Sequence, residues 1–367
     1  MNEPIKARTS PPGLEGVLAG ETAISLVDGA TGRLLYRGYR IADLVERGTF
    51  ARVAELLWTG SWPRHAFLAP GPVPIPVLVA LRDLPRDAHP MDALRTALSV
   101  YSANHVMEWP PSIEQARLLT TFAPSALAAF ARIRDGEEPI HPDPSLPLAA
   151  GFLQQLTGHE PDRATARALD AYFIVAAEHG FNASTFAARV IASTRSDMGS
   201  AVCGAIGALK GPLHGGAPAE VVSQLAEIGA PERAEPWVRD MIARGDRIMG
   251  FGHRVYRAYD PRAAALRQVA ESMERPPDWL ALAIDVEDVV LRVLAEAKPD
   301  RVLATNVEYY AAAVLMGIGL EPDFFPATFA LARMAGWTAH VLEQASANRL
   351  IRPDVRYVGP AARDLPT

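Results

Sequence analysis

The sequence predicts an all-α protein with one small β-hairpin near its N-terminus. Apolar residues recur at helical spacing through most of the chain. A pair of short apolar runs around a Gly-containing connection occurs only near the start. That exception comes first in chain order: Ala23–Val27 and Leu34–Tyr36 flank Asp28-Gly29-Ala30-Thr31-Gly32. Phe50, Val53, Ala54 and Leu57 then fall at i, i+3, i+4 and i+7, and Gly60 with Pro63 supplies a stop. Leu169, Tyr172, Phe173 and Ala176 repeat the pattern just before His179. Val307, Tyr310, Ala311, Val314, Leu315 and Ile318 extend it over three turns. Proline-rich stretches at 70–76 and 139–147 read as surface connections.

Composition narrows the classes of function. With 49% apolar and 21% charged residues over 367 positions, the chain has ordinary globular usage and is long enough for one large domain or two. A net charge of −6 and a pI near 5.9 argue against nucleic acid as the main partner. One cysteine, Cys203, excludes an intrachain disulfide and any multi-cysteine metal site. Met1–Leu14 lacks the apolar core of a signal peptide. The longest apolar stretch, Phe67–Leu81, is broken by four prolines. A soluble, cytoplasmic protein without membrane contact is expected.

No phosphate-binding loop, complete G-x-G-x-x-G, H-E-x-x-H or G-x-S-x-G is present, so several nucleotide and hydrolase chemistries lose their usual signatures. Two glycine-flanked histidines stand out instead. His214 lies in Gly211-Pro212-Leu213-His214-Gly215-Gly216, where glycines let the backbone approach a ligand and a neutral imidazole could serve a developing oxyanion. The plain alternative is a helix end followed by a turn. His253 lies in Gly250-Phe251-Gly252-His253-Arg254-Val255-Tyr256-Arg257, with Asp260-Pro261-Arg262 behind it. Three arginines beside a histidine make a local anion site inside an acidic protein. Asp260 and Pro261 also read as N-cap and first residue of a helix.

Glu308 has a strong structural alternative. Thr305-Asn306-Val307-Glu308 fits a capping box, in which the glutamate reaches back to the N-cap amide. The same carboxylate, kept ionised by the helix N-terminus, suits a general base. The two roles compete for the same oxygens. His179-Gly180-Phe181-Asn182-Ala183-Ser184-Thr185 ends one helix and starts another, with Asn182 or Ser184 as N-cap. A metal site from His179, His214 and His253 lacks ligand spacing, and no metal is expected.

At these residues the chain resembles the citrate synthase family nearly end to end. The resemblance rests on Gly13-Leu14-Glu15-Gly16-Val17, Tyr36-Arg37-Gly38-Tyr39, His89-Pro90-Met91-Asp92, His179–Thr185, the stretch around His214, Gly-Phe-Gly-His253, Asp-Pro-Arg262, Asn306-Val307-Glu308 and Arg352-Pro353. It implies a helical homodimer. Residues 1–215 and 320–367 would form a large domain, and 216–319 a small one closing over the substrates. The implied reaction joins an acyl-CoA to oxaloacetate and then hydrolyses the thioester; the CoA thioester is a substrate and no cofactor is implied. By resemblance His253 polarises the oxaloacetate carbonyl, His214 hydrogen-bonds the thioester oxygen and Glu308 takes the proton. His179, Arg262 and Arg333 match carboxylate ligands, and Asn182 would orient His179. Arg352 matches an arginine delivered across the dimer interface, and Arg257 resembles a CoA phosphate contact.

Two residues depart from the family pattern. Glu308 stands where most members have Asp, and Pro218 where Asn is frequent. One added methylene moves a carboxylate by roughly an ångström, enough to cost about 10²-fold if nothing compensates. Citrate synthase using acetyl-CoA is the first reading. A 2-methylcitrate synthase using propionyl-CoA, or a weakly active or non-catalytic acyl-CoA or carboxylate-binding paralogue, are the alternatives.

Overall fold

The computed structural model describes residues 11–14, 16–214, 217–252, 259–271, 278–298 and 303–363. It is mostly helical, as the periodicity predicts. The ribbon has three strands rather than two: β1 (Ser25–Asp28), β2 (Arg33–Tyr36) and β3 (Tyr39–Arg40) form an antiparallel sheet in that order. Leu26 faces Leu35 and Val27 faces Leu34 across the first pair. Asp28 closes the turn by accepting from the Ala30 and Thr31 amides at 3.1 and 3.2 Å. β3 is two residues long, too short to show an alternation.

Fifteen α-helices follow among the described residues. The first nine are α1 (Ile41–Arg47), α2 (Phe50–Thr59), α3 (Ile75–Arg82), α4 (Pro90–Asn104), α5 (Ile113–Asp135), α6 (Leu148–Thr157), α7 (Arg163–Ala176), α8 (Ala183–Ser193) and α9 (Met198–Leu209). The remainder are α10 (Ala217–Ile228), α11 (Pro231–Arg244), α12 (Pro261–Glu271), α13 (Asp278–Ala297), α14 (Val307–Gly317) and α15 (Phe325–Ser346). α2 shows how the local rules operate. Thr49 caps it by accepting from the Arg52 amide, Gly60 ends it at φ 78°, and Phe50, Val53, Ala54 and Leu57 are buried.

α15 organises the large core. It packs against α2, α4, α5, α7, α8 and α9, and it is buried nearly all round. A helix in that position cannot turn a polar face to water. Its polar residues Arg333, Thr338, His340 and Gln344 must therefore find partners inside the protein. Gly336 lets it pass close to the end of α7: a Cβ there would lie 2.2 Å from the Ala177 carbonyl oxygen and 2.5 Å from Glu178 Oε2.

A second junction joins the lead-ins to two sequence motifs. Residues 250–252 pair with 304–306 through Gly252 N–H to Ala304 O at 2.8 Å and Asn306 N–H to Gly250 O at 2.9 Å. Gly250 has φ 84° and no room for a side chain, since a Cβ would meet the Tyr309 ring at 2.8 Å. Among the described residues no helix is long and apolar enough to cross a membrane.

Candidate active site

Two buried arginines anchor the site. Arg333, on α15, is 2% exposed; its Nε donates to the Ala176 carbonyl at 2.7 Å, and its guanidinium lies 4.7 Å from the centre of the Phe329 ring. Arg262, in the first turn of α12, is 4% exposed and makes a bidentate pair with Asp260 at 3.0 and 2.8 Å. Asp260 also accepts from the Arg262 amide at 3.0 Å, the capping duty read from the sequence. It accepts from the Val307 amide at 3.1 Å as well, which ties α12 to the start of α14. Burial pulls the Arg333 pKa down, and its neighbour Arg262 adds to that pull. Two guanidiniums close enough to repel in a buried place are stabilised by negative charge brought near them, as Asp260 already does for Arg262.

His214 follows α9 in a turn and is held by α8. Its Nε2 lies 2.9 Å from Ser184 Oγ and 3.4 Å from the Ser184 amide nitrogen. An amide can only donate, so Nε2 is the acceptor and Nδ1 carries the ring proton. Trp337 Nε1–H donates to Ser184 Oγ at 3.1 Å. Asn182 Oδ1 lies 2.8 Å from the same hydroxyl and accepts from the Thr185 amide at 3.0 Å, capping α8. Burial, with the nearby Arg333 charge, drives the His214 pKa down to about 4. The imidazole is therefore neutral at pH 7, with its Nδ1–H to offer.

Glu308 does not form the capping box. The N-cap of α14 is Asn306, whose side chain accepts from the Glu308 amide at 3.0 Å and donates to the Gly252 carbonyl at 2.8 Å. The Thr305 hydroxyl donates to Glu287 instead. Glu308 thus falls at the second helical position, where its carboxylate makes no hydrogen bond among the described residues. Burial raises its pKa, and Asp260 pushes the same way, against the opposing charges of Arg262 and Arg247. Desolvation is the largest influence on this carboxylate, so its pKa lies above rather than below the ordinary value. A carboxylate with a raised pKa is a stronger base.

The remaining candidates divide. His179 lies directly after Glu178 at the end of α7, beside the α15 crossing. Asn182 bonds to Gly180, Ser184 and Thr185, so its side chain serves the His214 half of the site. Arg352 is exposed in the extended segment after α15 and makes no ion pair among the described residues. His253 and Arg257 lie outside the described residues. Among those described, no three ligating side chains form a metal site.

Sequence reasoning missed the support behind His179. Glu178 is fully buried, and its Oε1 accepts from Ser25 Oγ at 2.9 Å, His340 Nε2 at 3.0 Å and the Gly180 amide at 2.5 Å. Arg189 donates to His340 Nδ1 at 2.9 Å, which assigns the His340 proton to Nε2. The Tyr36 hydroxyl donates to the Glu178 carbonyl at 2.9 Å. The N-terminal ribbon is thus bonded to Glu178, the residue directly before His179. The available signal was spacing: Arg333, Trp337 and His340 stand at i, i+4 and i+7 on one face of α15.

One all-α scaffold thus carries buried guanidiniums, a neutral imidazole with a proton to donate and a carboxylate of raised basicity. Comparison with known proteins is in accord. The family described as "Citrate synthase, C-terminal domain" matches residues 13–354. Citrate synthase from Haloferax volcanii is 40% identical over 372 residues, covering 95% of each chain. The 2-methylcitrate synthase of Mycobacterium tuberculosis H37Rv is 42% identical over 370 residues, covering 96% of this chain and 92% of its own. The crystal structure of citrate synthase from Thermotoga maritima superposes with a TM-score of 0.82 at 37% identity, covering 97% of this chain and 98% of its own. Citrate synthase from Thermoplasma acidophilum, in ternary complex with carboxymethyl coenzyme A and oxaloacetate, gives 0.84 at 30% identity, covering 96% and 97%. The chain belongs to the citrate synthase family and is an acyltransferase of that type.

Proposed function

We propose that the protein condenses acetyl-CoA with oxaloacetate and hydrolyses the thioester to citrate and CoA. The observation that supports this reading is the electrostatic grouping of Arg262, Arg333, His214 and Glu308: the Arg333 charge helps keep His214 neutral, and the Arg262 charge acts on both Glu308 and Arg333. Arg262, Arg333 and His179, with Arg352 of the partner subunit, hold the oxaloacetate carboxylates, and His253 polarises its carbonyl. Glu308 removes a proton from the acyl α-carbon while Nδ1–H of His214 donates to the thioester oxygen as the enolate forms. That carbon then attacks the polarised carbonyl, and water releases CoA. Positioned base catalysis contributes roughly 10²–10⁴-fold and one oxyanion donor about 10²–10³. Arg257 contacts the CoA phosphates. The segment 216–319 closes over 1–215 and 320–367, excluding water from the enolate.

Propionyl-CoA is the second reading, because a 2-methylcitrate synthase and a citrate synthase are almost equally similar to this chain. One methylene in a pocket discriminates by only ~1–3 kcal/mol, so turnover of both thioesters is expected. CoA release with oxaloacetate and each thioester decides, through the ratio of kcat/KM values. A folded protein that binds oxaloacetate and releases no CoA from either would overturn the catalytic reading.

A further inference from the structure

One buried carboxylate outside the proposed site gathers four donors, from α12, α14 and the segments leading into them. Glu287, in the middle of α13, is fully buried. Its Oε1 accepts from the Tyr259 hydroxyl at 3.0 Å and from the Thr305 hydroxyl. Its Oε2 accepts from Arg267 at 2.5 Å and from the Tyr310 hydroxyl of α14. A buried carboxylate is costly unless its oxygens are filled, and these take two donors each.

The Thr305 contact has a consequence for Glu308. A capping box needs the threonine oxygen turned to the first helical amides and the glutamate at the third helical position. With Thr305 as N-cap, Glu308 would occupy that third position. The Thr305 hydroxyl is turned to α13 instead, the cap passes to Asn306, and Glu308 falls at the second position. From there its carboxylate is not set to reach back to the cap amide. It sits with Arg262, Arg247 and Asp260 as its charged neighbours.

We infer that Glu287 is a positioning residue for the proposed base: by drawing the Thr305 hydroxyl into α13 it shifts the helix start to Asn306 and withholds Glu308 from a capping box. The inference rests on Glu308 being the base. Without the Glu287 acceptor, Thr305 and Glu308 are free to close on each other, and the base is lost to a structural bond.

The test is a mutant cycle read by kcat, oxaloacetate Kd and melting temperature. Glu287→Met, which keeps the side-chain length but has no oxygen to accept from Thr305, should lower kcat about ten- to a hundred-fold, the scale of a misplaced catalytic group, with oxaloacetate Kd changed less than about threefold. Adding Thr305→Val, which removes the competing hydroxyl, should recover most of that kcat although it restores no buried bond. A double variant no faster than Glu287→Met, or a Glu287→Met that keeps kcat, overturns the inference. Thr305→Val alone guards against misfolding of the Glu287 variant: it should melt lower yet keep kcat within about threefold, since it can neither cap nor trap. A tenfold loss in that variant would also overturn the inference. Glu308→Gln in parallel separates the two claims. If it still turns over, the assignment of the base fails and the inference with it. If it is inactive while Glu287→Met keeps kcat, only the inference fails.

Discussion

Ser184 meets His214 twice, with its hydroxyl 2.9 Å from Nε2 and its amide 3.4 Å from the same nitrogen. The pairing leaves Nδ1–H as the only proton the neutral ring can offer. Ser184→Ala removes the hydroxyl and strands the Trp337 indole donor behind it. Such a loss should lower kcat about tenfold through a looser imidazole, with oxaloacetate affinity nearly unchanged. Steady-state kinetics with calorimetric oxaloacetate titration would show it; a change confined to oxaloacetate binding would place Ser184 in the anion site instead.

Glu308→Gln should abolish turnover and leave the protein at least as stable. The carboxylate makes no hydrogen bond that the amide would lose, and its folded pKa lies above the ordinary value. For such an acid, stability is highest below the unfolded pKa and is lost as pH rises through the folded one. Removing the charge therefore relieves a cost at pH 7. Thermal melts beside CoA-release assays check this: lower melting with turnover preserved would return Glu308 to a capping role.

The pH dependence follows from the same groups. His214 stays neutral down to about pH 4, whereas the Glu308 pKa is raised by burial. The acid limb of kcat thus belongs to Glu308, with the rate rising as pH rises and then levelling. Arg247 favours the ionised form, so Arg247→Gln should move that limb to higher pH. A limb that stays in place in this variant, measured from pH 4 to 9, would show that another group controls it.

Asp170 gives a prediction confined to stability. It accepts from the Phe50 amide at 3.0 Å and pairs with Arg167 at 3.1 Å, yet burial holds its pKa near 6. Its ionisation between pH 4 and 6 costs stability. Asp170→Asn keeps an acceptor for Phe50 and should be neutral to stabilising at pH 7, by at most about 3 kcal/mol. Denaturant midpoints at pH 4 and 7 should differ less in the variant than in the parent.

The helical architecture was legible where burial on one face writes a 3.6-residue period into the chain, as in α2; α14 buries Tyr309 to Leu315 without a break, and its helix shows in the sequence as a long apolar run instead. α15 is buried nearly all round, so periodicity says little about it, and its polar residues were the better signal. Thr305 and Glu308 show where a local motif fails. The capping box is defined within four residues, but the competing acceptor Glu287 lies 18 residues upstream on another helix. β3 and the ribbon's bonds to Glu178 were hidden for the same reason, since their partners are set by tertiary contact.

Arg352 supplies the test of assembly. It is exposed in the single chain, as a residue serving a second copy must be before the two associate. In a symmetric dimer with exchanged arginines, a hybrid of Arg352→Ala and Glu308→Gln subunits contains one site with both defects and one with neither. Random reassortment of the two inactive variants should then restore about a quarter of wild-type activity, because half the dimers are hybrids with one working site in two. If Arg352 instead serves its own chain, every hybrid site carries one defect and nothing returns. Mixing after mild dissociation, with CoA release followed over time, tells these apart. Recovery would also fix the smallest active unit as the dimer, since neither variant chain holds a complete site alone.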